Sequence, residues 1–207
     1  MDKIIAVLTG DGDCPGLNAV IRGIVRKSIN LGNSVVGIRK SWKGILEKDV
    51  TPLDVNSVSD IIRKGGTILG SSRTNPFKYE EGPEKVLKHL KELGIDVLIA
   101  VGSIDTLMVS EKLFERGAHV IGVPKTIDND LPLTDRTFGF DTAIATVTDA
   151  IDKVHSTAES HDRVIIVEVM GRYAGWIALN AGVSATADVV LIPEIPYDIN
   201  KVAEKIM

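Results

Sequence analysis

Apolar residues fall into two alternating patterns along the chain. Short runs rich in β-branched residues recur at 3–9 (KIIAVLT), 34–38, 96–101, 119–122, 163–169 (RVIIVEV) and 188–192. Each is too short for a helix and too continuously apolar for a half-exposed strand, so each predicts a strand buried on both faces of a parallel sheet. Between them the apolar spacing changes to that of a helix. Leu17, Val20, Ile21, Ile24, Val25 and Ile29 predict a helix over 17–30 that stops at Gly32. Val86, Leu87, Leu90 and Leu93 line one side of a helix over 83–93, with Lys85, Lys88 and Lys91 on the other. Further helices are expected at 58–64, 107–116, from 138–142 to about 159, 173–180 and from 199 onward, with short mixed elements across 42–59. Strand, helix, strand in this order predicts an α/β fold around a parallel sheet.

The polar residues gather where these strands end, the side of such a sheet where ligands bind. The first strand runs into Gly10-Asp11-Gly12-Asp13-Cys14-Pro15-Gly16, a glycine turn that opens a helix and leaves backbone N–H groups for an anion. The segment 65–73 is glycine-rich and carries Arg73 among Ser71, Ser72 and Thr74; guanidinium with hydroxyls suits a phosphate. The third expected strand leads into Gly102-Ser103-Ile104-Asp105-Thr106, and 163–169 ends at Met170-Gly171-Arg172. The densest stretch is Val123-Pro124-Lys125-Thr126-Ile127-Asp128-Asn129-Asp130, with two carboxylates, a hydroxyl and a lysine. Several strand ends with glycine and charge predict one phosphate-rich ligand.

Composition narrows the setting. A chain of 207 residues holds one large or two small domains, and a boundary is expected near residue 138. Net charge is -4, which gives no basis for bulk attraction to nucleic acid. A single cysteine, Cys14, excludes an internal disulfide and fits a reducing compartment. With no run of membrane-spanning length and no signal pattern, the expectation is a cytoplasmic protein with no membrane partner. His89 and His119 lack metal-ligand spacing; His155 and His161 are expected to be exposed, and Trp176 to lie in the core.

Five motifs in register, DCPGLNAVIRG at 13–23, GGTILGSSRTNP at 65–76, PKTIDND at 124–130, GFDTA at 139–143 and VEVMGRYAGWIAL at 167–179, together resemble the 6-phosphofructokinase family. The resemblance implies a Rossmann-like parallel sheet in a three-layer sandwich, with a phosphoryl-donor domain over 1–138 and the start of a smaller α/β sugar-phosphate domain over 139–207. It implies phosphoryl transfer from pyrophosphate or ATP to the 1-hydroxyl of fructose 6-phosphate, a glycolytic reaction, with Mg2+. Asp128 resembles the general base for the sugar hydroxyl, and Arg172 the cation that offsets transition-state charge. Thr126, Ile127, Asp128, Arg163, Met170, Gly171 and Arg172 resemble the sugar-phosphate contacts. Arg163 resembles a residue that reaches a neighbouring subunit, which implies a homo-oligomer. Asp11, Gly12, Arg73, Thr74, Gly102, Ser103, Asp105, Thr106 and Lys125 stand at donor positions, and Asp130 beside the metal. Lipid and NAD kinases share a similar glycine-acid loop but lack the PKTIDND and MGR pair.

Asp105 and Lys125 match pyrophosphate users, where ATP users carry glycine at both positions. Four donor-side residues depart from the family pattern: Asp11, Ser103 and Met108 replace glycine, and Ile104 replaces the metal-side acid. Ile104 has no oxygen to offer magnesium. The chain is also shorter than the family. These departures define an alternative expectation, a catalytically impaired or engineered scaffold of this fold with its donor site blocked.

Overall fold

The computed structural model describes residues 2–207. The chain forms two compact units that meet in sequence between Lys125 and Thr126.

The first unit is built on strands β1 (Ile4–Thr9), β2 (Ser34–Ile38), β3 (Val50–Leu53), β4 (Val97–Gly102) and β5 (Val120–Thr126, whose last residue opens the second unit). They run side by side in the order β3-β2-β1-β4-β5. The β1–β2, β1–β4 and β4–β5 pairs are parallel, and only β3 runs antiparallel. Helices α1 (Leu17–Asn30), α2 (Trp42–Glu47), α3 (Gly82–Glu92) and α4 (Ile104–Glu115) lie between the strands in sequence. Ala6, Val7 and Leu8 of β1 are fully buried, which explains the unbroken apolar run: a central parallel strand has no solvent face. One core packs Ala6, Leu8, Trp42, Val86, Leu98 and Leu113 together.

The strand order reverses direction at β1, since the chain moves to β2 on one side and later to β4 on the other. The carboxyl ends of β1 and β4 therefore flank a switch point, where open α/β sheets bind ligands. Residues 10–12 and 102–106 stand there.

The second unit contains the short strand β6 (Phe138–Gly139) and helices α5 (Phe140–Ser160), α6 (Trp176–Ser184) and α7 (Ile199–Ile206). Three expectations fail. Residues 163–169 and 188–192 form no strand: Val164, Ile165, Ile166 and Val167 are exposed, and no ladder partner faces them among the described residues. Residues 58–64 form turns instead of a helix. Trp176 is half exposed at the start of α6, while its neighbour Ile177 fills the core position.

Candidate phosphoryl-transfer site

At the first unit's switch point the backbone turns sharply. Gly10 donates its N–H to Val101 O at 2.9 Å, which pins the end of β1 to β4. Thr106, in the first turn of α4, is fully buried against both strand ends. A Cβ on Gly10 would lie 2.0 Å from Thr106 Oγ1, and one on Gly102 would lie 2.3 Å from Thr106 Cβ. Both glycines are thus required by the close approach of the helix.

The Asp11 carboxylate reaches into this corner. Its Oδ2 accepts hydrogen bonds from Thr106 N–H at 2.7 Å, from Ser103 Oγ at 3.0 Å and from the Thr106 hydroxyl. Asp11 adopts φ 60°, a left-handed conformation uncommon outside glycine, which aspartate takes more readily than most residues. Lys125, on β5, is buried, and its Nζ donates to the carbonyls of Asp11 (3.2 Å) and Gly12 (3.1 Å). Gly12 N–H donates to Ser71 Oγ at 3.0 Å, which brings the 65–74 segment to the turn. Ser72 Oγ donates to Lys40 O at 2.7 Å and Thr74 N–H to Ser72 Oγ at 3.4 Å. Arg73 is exposed and forms no ion pair among the described residues. Asp105, Ile104 and Met108 project from α4 into solvent; Met108 is 47% exposed.

Cys14 lies in the same turn, and burial pushes its thiol up to about 11, against a smaller opposing pull from the Lys125 charge. Sequence reasoning missed Asn18, one turn further on. Its side-chain amide donates to Lys64 O at 2.9 Å and accepts from Ile68 N–H at 2.9 Å. A polar residue on the face that also carries Leu17, Ile21 and Val25 was its signal.

In the second unit, residues 126–137 fold back on themselves. Thr137 Oγ1 donates to Thr126 O at 2.6 Å, and Thr137 N–H donates to Asn129 Oδ1 at 2.9 Å. Asp128 N–H donates to Thr126 Oγ1 at 3.1 Å, so that hydroxyl orients the loop. The Asp128 carboxylate remains unengaged: its Oδ1 is buried and has no hydrogen-bond partner. Burial raises its pKa above the usual carboxylate range, and the Asp130 charge adds to the rise. An acceptor oxygen held this way is ready for a hydroxyl donor.

A cavity of about 760 Å³ opens beside this loop, lined in part by Asp130, Arg136, Tyr173 and Trp176 but not by Asp128. Arg172 lies over the Tyr173 ring, 5.3 Å from its centroid. Gly171 has φ 130°, and a Cβ there would meet Ala174 O at 2.4 Å. Glu194, also missed from sequence, holds the same turn by accepting from Gly175 N–H at 2.7 Å. Met170 and Arg163 are exposed. Among the described residues no cluster of three or more His, Cys, Asp or Glu side chains could hold a metal ion.

A family model described as phosphofructokinase matches residues 4–207. The chain belongs to the phosphofructokinase family. It is 57% identical, over 97% of its length, to a pyrophosphate–fructose 6-phosphate 1-phosphotransferase of Amycolatopsis methanolica, and covers 59% of that relative. It is 51% identical, over 98% of its length, to ATP-dependent 6-phosphofructokinase 3 of Streptomyces coelicolor, and covers 60% of it. The chain thus spans about three-fifths of these relatives. Among solved structures, phosphofructokinase of Pichia pastoris in the T-state matches with a TM-score of 0.92 at 32% identity, over all of this chain and 26% of that one. Pyrophosphate-dependent phosphofructokinase of Marinobacter aquaeolei matches with a TM-score of 0.81 at 27% identity, over 98% of this chain and 56% of that one. The expected α/β fold of a phosphofructokinase is borne out. No helix among the described residues is long and apolar enough to cross a membrane.

Proposed function

We propose that this chain carries a site for phosphoryl transfer from pyrophosphate to the 1-hydroxyl of fructose 6-phosphate, giving fructose 1,6-bisphosphate and phosphate. The observation that carries the reading is the buried, unpartnered Asp128 Oδ1 within the PKTIDND motif. The acceptor hydroxyl donates to this oxygen and passes its proton to it as the new P–O bond forms. Thr126 holds the Asp128 backbone, Ile127 shapes the same loop, and Met170, Gly171 and Arg172 bind the sugar phosphate. Arg172 offsets charge on the transferring group. Arg163 serves a second copy of the chain, so the working form is a homo-oligomer.

On the donor side, Gly12, Arg73, Thr74, Gly102, Ser103, Asp105 and Thr106 surround the phosphates, and buried Lys125 supplies positive charge. Pyrophosphate is favoured over ATP because Lys125 adds a cation and Asp105 a carboxylate where the family's ATP users have glycine. The relatives include users of both donors. The donor set fits magnesium only as an ion that arrives with its phosphates. Asp130 would hold such an ion through its carboxylate, with oxygens of the phosphates and water as its other ligands. When bound, the ion neutralises phosphate charge. The domain division follows the same reading, with the donor bound by residues 1–138 and the sugar phosphate by 139–207.

The test is fructose 1,6-bisphosphate formation from fructose 6-phosphate, pyrophosphate and Mg2+, with ATP in parallel. Asp128→Asn should lower kcat by about 10²–10⁴-fold with the fold intact by circular dichroism. Equal rates for the parent and Asp128→Asn would sink the reading. One observation favours a second reading, a donor-blocked member of the family: the Asp11 carboxylate already occupies hydrogen-bond donors at the start of α4. Fructose 6-phosphate binding by calorimetry with no turnover from either donor would support it.

A further inference from the structure

The four donor-side departures behave differently once placed. Ile104 and Met108 are about half exposed and take no part in the turn. Asp11 and Ser103, 92 residues apart in sequence, are bonded to each other through Ser103 Oγ and Asp11 Oδ2 at 3.0 Å. The same carboxylate oxygen takes the Thr106 N–H, one of the N–H groups a helix start leaves unsatisfied, and the Thr106 hydroxyl. Three donors thus converge on one anionic oxygen at the positive end of a twelve-residue helix.

A second observation is the unpaired cation beside this corner. The Lys125 ammonium is 3% exposed, yet it meets only the carbonyls of Asp11 and Gly12. No carboxylate lies within ion-pair distance of it among the described residues. A buried cation satisfied by carbonyls alone calls for an anion nearby.

We propose that Asp11 is an internal competitor for the donor's phosphate: its carboxylate fills the oxyanion cradle of Ser103 and Thr106, and Ser103 is the second half of the same device. The inference rests on the proposed phosphoryl-donor site. It adds that an external oxyanion gains this cradle only by displacing Asp11, and that the two side chains act together. At φ 60° glycine is unstrained, so Asp11→Gly removes the occupant without forcing the backbone.

The experiment titrates inorganic pyrophosphate with Mg2+, and separately inorganic phosphate, into the 207-residue chain by calorimetry. The parent is compared with Asp11→Gly, Ser103→Gly and the double variant. Asp11→Gly should bind both oxyanions at least about tenfold more tightly, the effect of one charge-assisted hydrogen-bond site changing hands. Ser103→Gly alone should bind both oxyanions less tightly than Asp11→Gly, because Asp11 keeps the Thr106 donors. The double variant should bind less tightly than Asp11→Gly, because the freed hydroxyl is lost. A folded Asp11→Gly chain with unchanged affinity for both probes overturns the proposal. Should that variant fail to fold, Asp11→Asn keeps the volume and an acceptor while removing the charge. It must then bind pyrophosphate more tightly than the parent, and unchanged affinity overturns the proposal equally. Turnover is read separately. Tighter oxyanion binding with no sugar phosphorylation leaves this inference standing and removes the transferase reading. Rapid turnover by the parent, with no gain in affinity on Asp11→Gly, does the reverse.

Discussion

Cys14 shows how local burial sets chemistry within the glycine turn. Its thiol is 7% exposed, and burial pushes its pKa to about 11 from an ordinary 9.0. At neutral pH it is a protonated packing group, since only a thiolate attacks an electrophile. Alkylation by iodoacetamide, followed by mass spectrometry, should therefore be slow at about pH 8 and accelerate only as pH approaches that raised value. Rapid labelling of the folded chain at about pH 8 would contradict this. The linkage has a definite sign. The unfolded chain releases this proton above 9.0 while the folded chain keeps it, so the contribution is intact below 9.0 and stability falls as pH rises through about 11. The sequence showed Cys14 to be a small loop residue; its desolvation depends on how the turn packs.

At the scale of elements, local pattern carried much of the reading and tertiary pairing the rest. The helices over 17–30 and 83–93 were legible because their apolar spacing, and for the first its stop at Gly32, are local signals; α1 and α3 occupy nearly those bounds. Residues 163–169 carry a strand's composition, but a strand exists only when a neighbour accepts its ladder, and composition does not report the neighbour. Lys125 looked like a loop residue after proline, yet β5 runs on through Thr126, and Pro124 pairs in register with Gly102. Asp128 was legible as chemistry because its motif is contiguous. The Asp11–Thr106 bonds were not, because they join residues 95 apart. Asn18 is of the same kind: it fastens the 64–68 segment to α1 through its amide. Asn18→Ala leaves Ile68 N–H and Lys64 O without these partners, so it should cost about 1–3 kcal/mol in urea unfolding. A loss within error of zero would show that water replaces the amide at no cost.

The whole molecule divides its apolar burial unevenly. In the first unit, both faces of β1 are buried, and the helices beside the sheet place residues such as Leu17, Ile21, Val86 and Leu113 in the interior. In the second unit, α5 buries Phe140 alone along its 21 residues, and α7 buries none. Val164, Ile166, Ile195, Tyr197 and Ile199 are more than half exposed. Opening free energy follows buried apolar contact, so the two units should differ in protection. Hydrogen exchange followed by mass spectrometry should show β1 and β4 exchanging slowly, near the rate set by global unfolding. Peptides from α5, α7 and 163–169 should exchange orders of magnitude faster. The dye ANS, which reports exposed apolar surface, should bind the native chain for the same reason. Equal protection of α5 and β1, with no dye binding, would mean that the apolar residues of 163–169 and 188–199 are covered in solution. Either a second copy or another part of the same chain would then bury this surface, and the same exchange measured across a concentration series distinguishes the two. Protection of 163–169 that grows with protein concentration assigns the cover to self-association; protection independent of concentration assigns it to the chain itself.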